Sequence, residues 1–113
     1  MTYYSIARAA NGYVAAWPTG ESYEIYFARI DQRGKVLPPG EIKTPGRAWH
    51  RTGVLVLAAP EGSACVAWAK NDQLGWQVYD ENGQPSGSPG AAKTKGNGVA
   101  GVVGKDGRFV LFR

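Results

Sequence analysis

The densest cluster of chemically able side chains is Arg47-Ala48-Trp49-His50-Arg51. Arg47 and Arg51 can clamp a carboxylate, because each guanidinium offers paired N–H donors. Trp49 between them offers a flat apolar face on which a sugar or a base can stack. His50 is the only histidine and Cys65 the only cysteine. One imidazole cannot supply the several ligands that zinc requires, so neither a metal nor a cofactor is expected. Cys65 sits in an apolar run with no basic neighbour to activate its thiol, and reads as a small core residue.

These residues must be positioned by strands. The chain has 113 residues, enough for one domain with a small core. Its 16 glycines and seven prolines, with no long helical periodicity, predict short strands joined by tight turns. The segment Gly12 to Gly34, GYVAAWPTGESYEIYFARIDQRG, returns altered at Gly62 to Gly83, GSACVAWAKNDQLGWQVYDENG. A shorter copy closes the chain at Gly107 to Arg113. Trp17 and Trp68 are 51 residues apart, and the Asp31–Gly34 and Asp80–Gly83 turns 49 apart. A period of about 50 falls in the range of repeat architectures.

In order, strands are expected over Tyr3–Ala10, Tyr13–Trp17 and Tyr23–Asp31, with Asn11-Gly12 as a hairpin turn. Lys35–Leu37 begins a fourth strand that Pro38-Pro39 interrupts, as befits an edge. Glu41–Gly53 reads as a polar connection. The second round gives Val54–Ala59, Ala64–Trp68 and Leu74–Tyr79, with a ragged or absent fourth strand over Gln84–Gly90. Ala91–Asn97 is a second connection, and Val99–Val103 with Phe109–Phe112 a last hairpin. The expected units are residues 1–46, 47–90 and 91–113, about ten strands in all.

The order is apolar strand, glycine turn, strand ending in tryptophan, polar loop, strand ending in Asp-x-x-Gly, short fourth strand. Carried by Gly12–Trp17, Ile25–Gly34, Val66–Trp68 and Val78–Gly83, it resembles a blade of sialidase-like and related bacterial β-propeller repeat proteins. The Ser/Thr-x-Asp-x-Gly-x-Thr-Trp box typical of sialidases is missing. The resemblance implies an all-β fold of repeated four-stranded antiparallel propeller-like blades, about two and a half per chain. Propellers close with about 4–8 blades. Open flanks would expose apolar faces and strand edges, so either several chains close a ring, or the chain is the tail of a longer propeller, or the sheets pack in another way; a homo-oligomer, a dimer or ring, is the expectation preferred. Twenty strands from two chains would make five blades if the terminal hairpins formed one shared blade. Trp17, Trp68 and Phe112 are expected at equivalent strand ends, packing between blades.

In such a blade the loops after the second and fourth strands share one face. That would gather Lys43, Arg47, Arg51, Lys70, Lys93 and Lys95 there, against Glu21 and Asp72. Asp31, Glu61, Asp80, Glu81 and Asp106 would lie at the other end. A basic mouth focuses anions. The expected ligand-binding residues are Glu21, Arg47, Trp49, His50, Arg51, Lys70 and Asp72, for a glycan or another anionic ligand. Glycoside hydrolysis usually needs two positioned carboxyl groups. Glu21 and Asp72 are a poor pair, so no catalytic residue is assigned. A binding or assembly module is preferred to a sialidase-like hydrolase or its remnant.

The net charge of +4 is spread along the chain, the pattern of a solvated surface rather than a nucleic-acid-binding tract. No signal peptide is visible, and no apolar run approaches the roughly 20 residues that span a bilayer. A soluble protein is expected, with its compartment unassigned.

Overall fold

The computed structural model describes residues 4–19, 23–48, 53–70, 72–96 and 98–113. They form ten strands and no helix. Strands β1 (Ser5–Ala9), β2 (Gly12–Pro18), β3 (Glu24–Asp31) and β4 (Ile42–Arg47) make one antiparallel sheet in chain order. A second sheet repeats that order with β5 (Val54–Ala58), β6 (Ala64–Lys70), β7 (Gln73–Tyr79) and β8 (Gly90–Lys93). Strands β9 (Ala100–Val103) and β10 (Phe109–Phe112) pair as a hairpin.

The expected strands are present except for the fourth of each sheet. Lys35–Leu37 contributes only an isolated bridge, Ile30 to Val36. The fourth strand comes later, at β4, inside the stretch expected to be a polar connection. Likewise β8 lies in the expected connection Ala91–Asn97, while Gln84–Gly90 supplies only a Tyr79–Pro85 bridge and the first residue of β8. Both edge strands are rich in Gly, Ala, Lys and Pro, with little β-propensity of their own. They form because β3 and β7 present an open ladder. Pro45 in β4 is tolerated because that strand lies at the edge of its sheet.

The first hairpin also differs from expectation. Ala9 pairs with Gly12, so the two loop residues are Ala10 and Asn11. Gly12 is needed for another reason: a Cβ there would lie 2.1 Å from the Ile30 carbonyl oxygen of β3.

The two aspartate turns match bond for bond. Asp31 Oδ1 accepts from the Arg33 and Lys35 amides, both at 2.9 Å. Asp80 Oδ1 accepts from the Asn82 and Gln84 amides at the same distance. Gly34 and Gly83 take positive φ, at 88° and 79°. An aspartate bonding backbone ahead of it, followed by a glycine in left-handed conformation, is ordinary turn chemistry.

Strand alternation sends Val14, Ala16, Ile25 and Phe27 of the first sheet against Val56, Ala64, Val66 and Tyr79 of the second. Phe27 stacks on Tyr79 with ring centroids 4.8 Å apart, and both are almost completely buried. At the inner edge, where β1 lies against β5, Ser5 Oγ accepts from the Val56 amide at 2.9 Å. At the outer end the Arg29 guanidinium donates to the Glu81 carbonyl at 2.6 Å and to the Pro38 carbonyl. The hairpin stacks on the far side of the second sheet, with β9 over β5. The outward faces of the stack stay apolar: Tyr4, Ile6 and Tyr13 on the first sheet, Val102, Val110 and Phe112 on the hairpin, all exposed.

Candidate ligand-binding cleft

The ends of β4 and β6 bring Arg47 and Lys70 to one cleft of about 370 Å³. Trp68 and Gln73 also line it. The Trp68 indole is held by two glycines, one from each sheet. A Cβ at Gly46 would approach its ring to 2.2 Å, and one at Gly75, its cross-strand partner, to 2.1 Å. The glycines therefore let the indole lie between the sheets, half-buried, in a cleft that Arg47 and Lys70 also line. A guanidinium and an ammonium next to an aromatic face can hold a carboxylate on a ring-shaped body.

Of the sequence-predicted site residues, Arg47 and Lys70 meet in this cleft. Asp72 sits on the exposed β6–β7 turn and is not among its lining residues; its backbone carbonyl accepts from the Thr94 amide at 2.7 Å. Glu21, Trp49, His50 and Arg51 lie outside the described residues. Trp68 and Gln73 were not assigned to the site by sequence. The Trp68–Gly75 pairing that exposes the ring becomes visible only with the strand register.

Lys43, expected on a basic loop, belongs to β4 and pairs with Glu24 Oε2 at 3.1 Å. This hydrogen bond, chiefly, holds the Glu24 carboxyl below its ordinary range. Opposite Tyr26 in the ladder, Lys43 lies on the sheet rather than at its end. The far end of the stack collects Glu61 and Glu81 around a smaller cleft of about 290 Å³, with Arg29 on its wall. Glu61 binds the Ser63 hydroxyl at 2.6 Å and the Ser63 amide at 2.7 Å, and these bonds lower its pKa.

Trp17 and Trp68 occupy the same face of their second strands, but Phe112 does not share it. Counting from the closing pairs Ala58–Ala64 and Val103–Phe109, the counterpart of Trp68 is Arg113. A one-residue offset puts Phe112 on the opposite face. Arg113 docks on the end of β8, donating to the Thr94 carbonyl at 3.0 Å and the Gly96 carbonyl at 2.8 Å. Trp68 lies at the corresponding end of β4, its ring against Gly46.

Burial pushes the Cys65 thiol up to about 11, which leaves it un-ionised and weakly nucleophilic at neutral pH. Among the described residues no three His, Cys, Asp or Glu side chains gather as a metal site, and no helix is long and apolar enough to cross a membrane. Protein-family profiles, curated proteins and solved structures contain no match to the chain.

Proposed function

We propose that the chain is a non-enzymatic, β-propeller-type binding or assembly module whose ligand is anionic, a carboxylate-bearing glycan being the preferred class. The observation that carries this reading is the cleft that Arg47, Lys70 and Trp68 line together. Its described lining supplies two cations, an amide and an aromatic face. A sialidase-like hydrolase would instead need two carboxyl groups over the same space. The blade reading is supported by two four-stranded sheets of identical order, stacked face to face, with a hairpin stacked third. Assembly into a homo-oligomer is supported by the apolar outer faces, Tyr4 and Ile6 at one flank and Val102 and Phe112 at the other.

Titration calorimetry with sialyllactose, using lactose as the uncharged control, tests the ligand class. Sialyllactose should bind and lactose should not. Arg47→Ala and Lys70→Ala should each weaken binding about tenfold or more without any sugar being hydrolysed. Equal affinity for the two sugars, or unchanged affinity in both variants, would remove the anion site. Release of sialic acid would favour the hydrolase.

A further inference from the structure

Two polar residues that line the Arg47–Lys70 cleft, Lys70 and Gln73, face each other as the last pair of the β6–β7 ladder. The end of a ladder is where strands fray, because no further pair lies beyond it. Side chains carried there can hold a ligand in one geometry only if the backbone beneath them is fixed. Here the fixing comes from outside the two strands. The Asp72 carbonyl accepts from the Thr94 amide at 2.7 Å. The Gln73 carbonyl accepts from Arg113 Nη1 at 3.4 Å.

Arg113 makes three further bonds of the same kind. Nη1 also donates to the Thr94 carbonyl at 3.0 Å, Nη2 to the Gly96 carbonyl at 2.8 Å and Nε to the Gly98 carbonyl at 3.3 Å. One planar guanidinium thus ties the start of β7 to the segment that follows β8. A lysine in its place would offer a single rotating ammonium, without the fixed fork that reaches several carbonyls at once. Gly96 lies so close that a Cβ there would stand 3.2 Å from the Arg113 carbonyl carbon and Cβ.

We infer that Arg113 is a positioning residue for the Arg47–Lys70 cleft. It fixes the β6–β7 turn from behind, and so holds Lys70 and Gln73 on the cleft wall. The inference rests on the reading of that cleft as an anion site. Arg113 acts through the turn and not by touching the ligand. Docking of the β9–β10 hairpin on the second sheet is thereby coupled to order in a cleft between the first two sheets.

The test is a double-mutant cycle. Arg113→Ala should weaken sialyllactose binding about threefold or more, yet cost little further affinity in a Lys70→Ala background. Arg108→Ala removes the same charge from the exposed turn of the same hairpin and should leave affinity unchanged. Arg113→Lys should restore only part of the loss, and it carries the same comparison should Arg113→Ala fail to fold. Without any ligand, the Arg113 variants should shift the backbone resonances of Lys70 and Gln73 and speed their amide exchange, leaving the Asp31 turn as it was. Fully additive losses, equal losses in Arg108→Ala, or unmoved Lys70 and Gln73 resonances would overturn the inference. Should the unaltered chain bind no sialyllactose, the reading of the cleft falls, and the resonances alone decide whether Arg113 positions the turn.

Discussion

Between the first two sheets, Phe27 is sealed by Tyr79, Arg29 ties down the Glu81 turn, and Ser5 caps a β5 amide. Between the second sheet and the hairpin, Gly101 lies close against Leu57 and Arg113 ties down the end of β8, but Trp76 borders an open groove. The two junctions use the same alternation of strand faces. They differ because four strands cover the first sheet and only two cover the second. The same packing pattern thus gives a closed core where it is completed and an open groove where it is not.

Breaking the closed junction should cost most. Phe27→Ala removes a fully buried ring, and denaturant unfolding should show a loss of about 3–5 kcal/mol. Trp76→Ala, made on the open side, should cost less than half as much. Equal losses would mean that the two junctions are equally packed. Next in size, Gly75→Ala forces a Cβ into the Trp68 indole and should cost about 1–3 kcal/mol, with altered near-ultraviolet circular dichroism from the displaced ring.

The turns sharpen the comparison from the other direction. Asp31→Ala and Asp80→Ala each remove two backbone hydrogen bonds at matching positions. Each should lower stability by about 1 kcal/mol, and by similar amounts, because these turns serve the sheets and not the junctions. The smallest effect belongs to the exposed Glu24–Lys43 pair. The Glu24 pKa is lowered by folding, so its contribution is present above the unfolded carboxylate pKa and fades as pH falls through the folded value. Glu24→Gln should flatten that acid-side slope slightly, and added salt should mask the difference.

Much of the fold was legible from local pattern. Alternation and turn residues located β1 to β3, β5 to β7 and the last hairpin, because those strands carry β-formers between glycine turns. β4 and β8 were misplaced: Ile42-Lys43-Thr44-Pro45-Gly46-Arg47 and Gly90-Ala91-Ala92-Lys93 have no strand pattern and are recruited by the ladder beside them. The candidate site was legible only as charge. Arg47 and Lys70 stood out as loop cations, whereas Trp68 joins them through two glycines far apart in sequence, a cross-sheet contact with no local signal. The Phe112 assignment failed because the first hairpin turn is shorter than the other two, so counting from Gly12 and Gly107 slips by one residue, and a single residue of offset exchanges the faces of a strand.

The most direct test of the contrast between the junctions is native-state hydrogen exchange followed strand by strand. The account predicts the strongest protection in β2, β3, β6 and β7, and fast exchange along β10, whose outer edge is open. Protection of β10 equal to that of β3 would show that its edge is already paired, and would contradict the open groove.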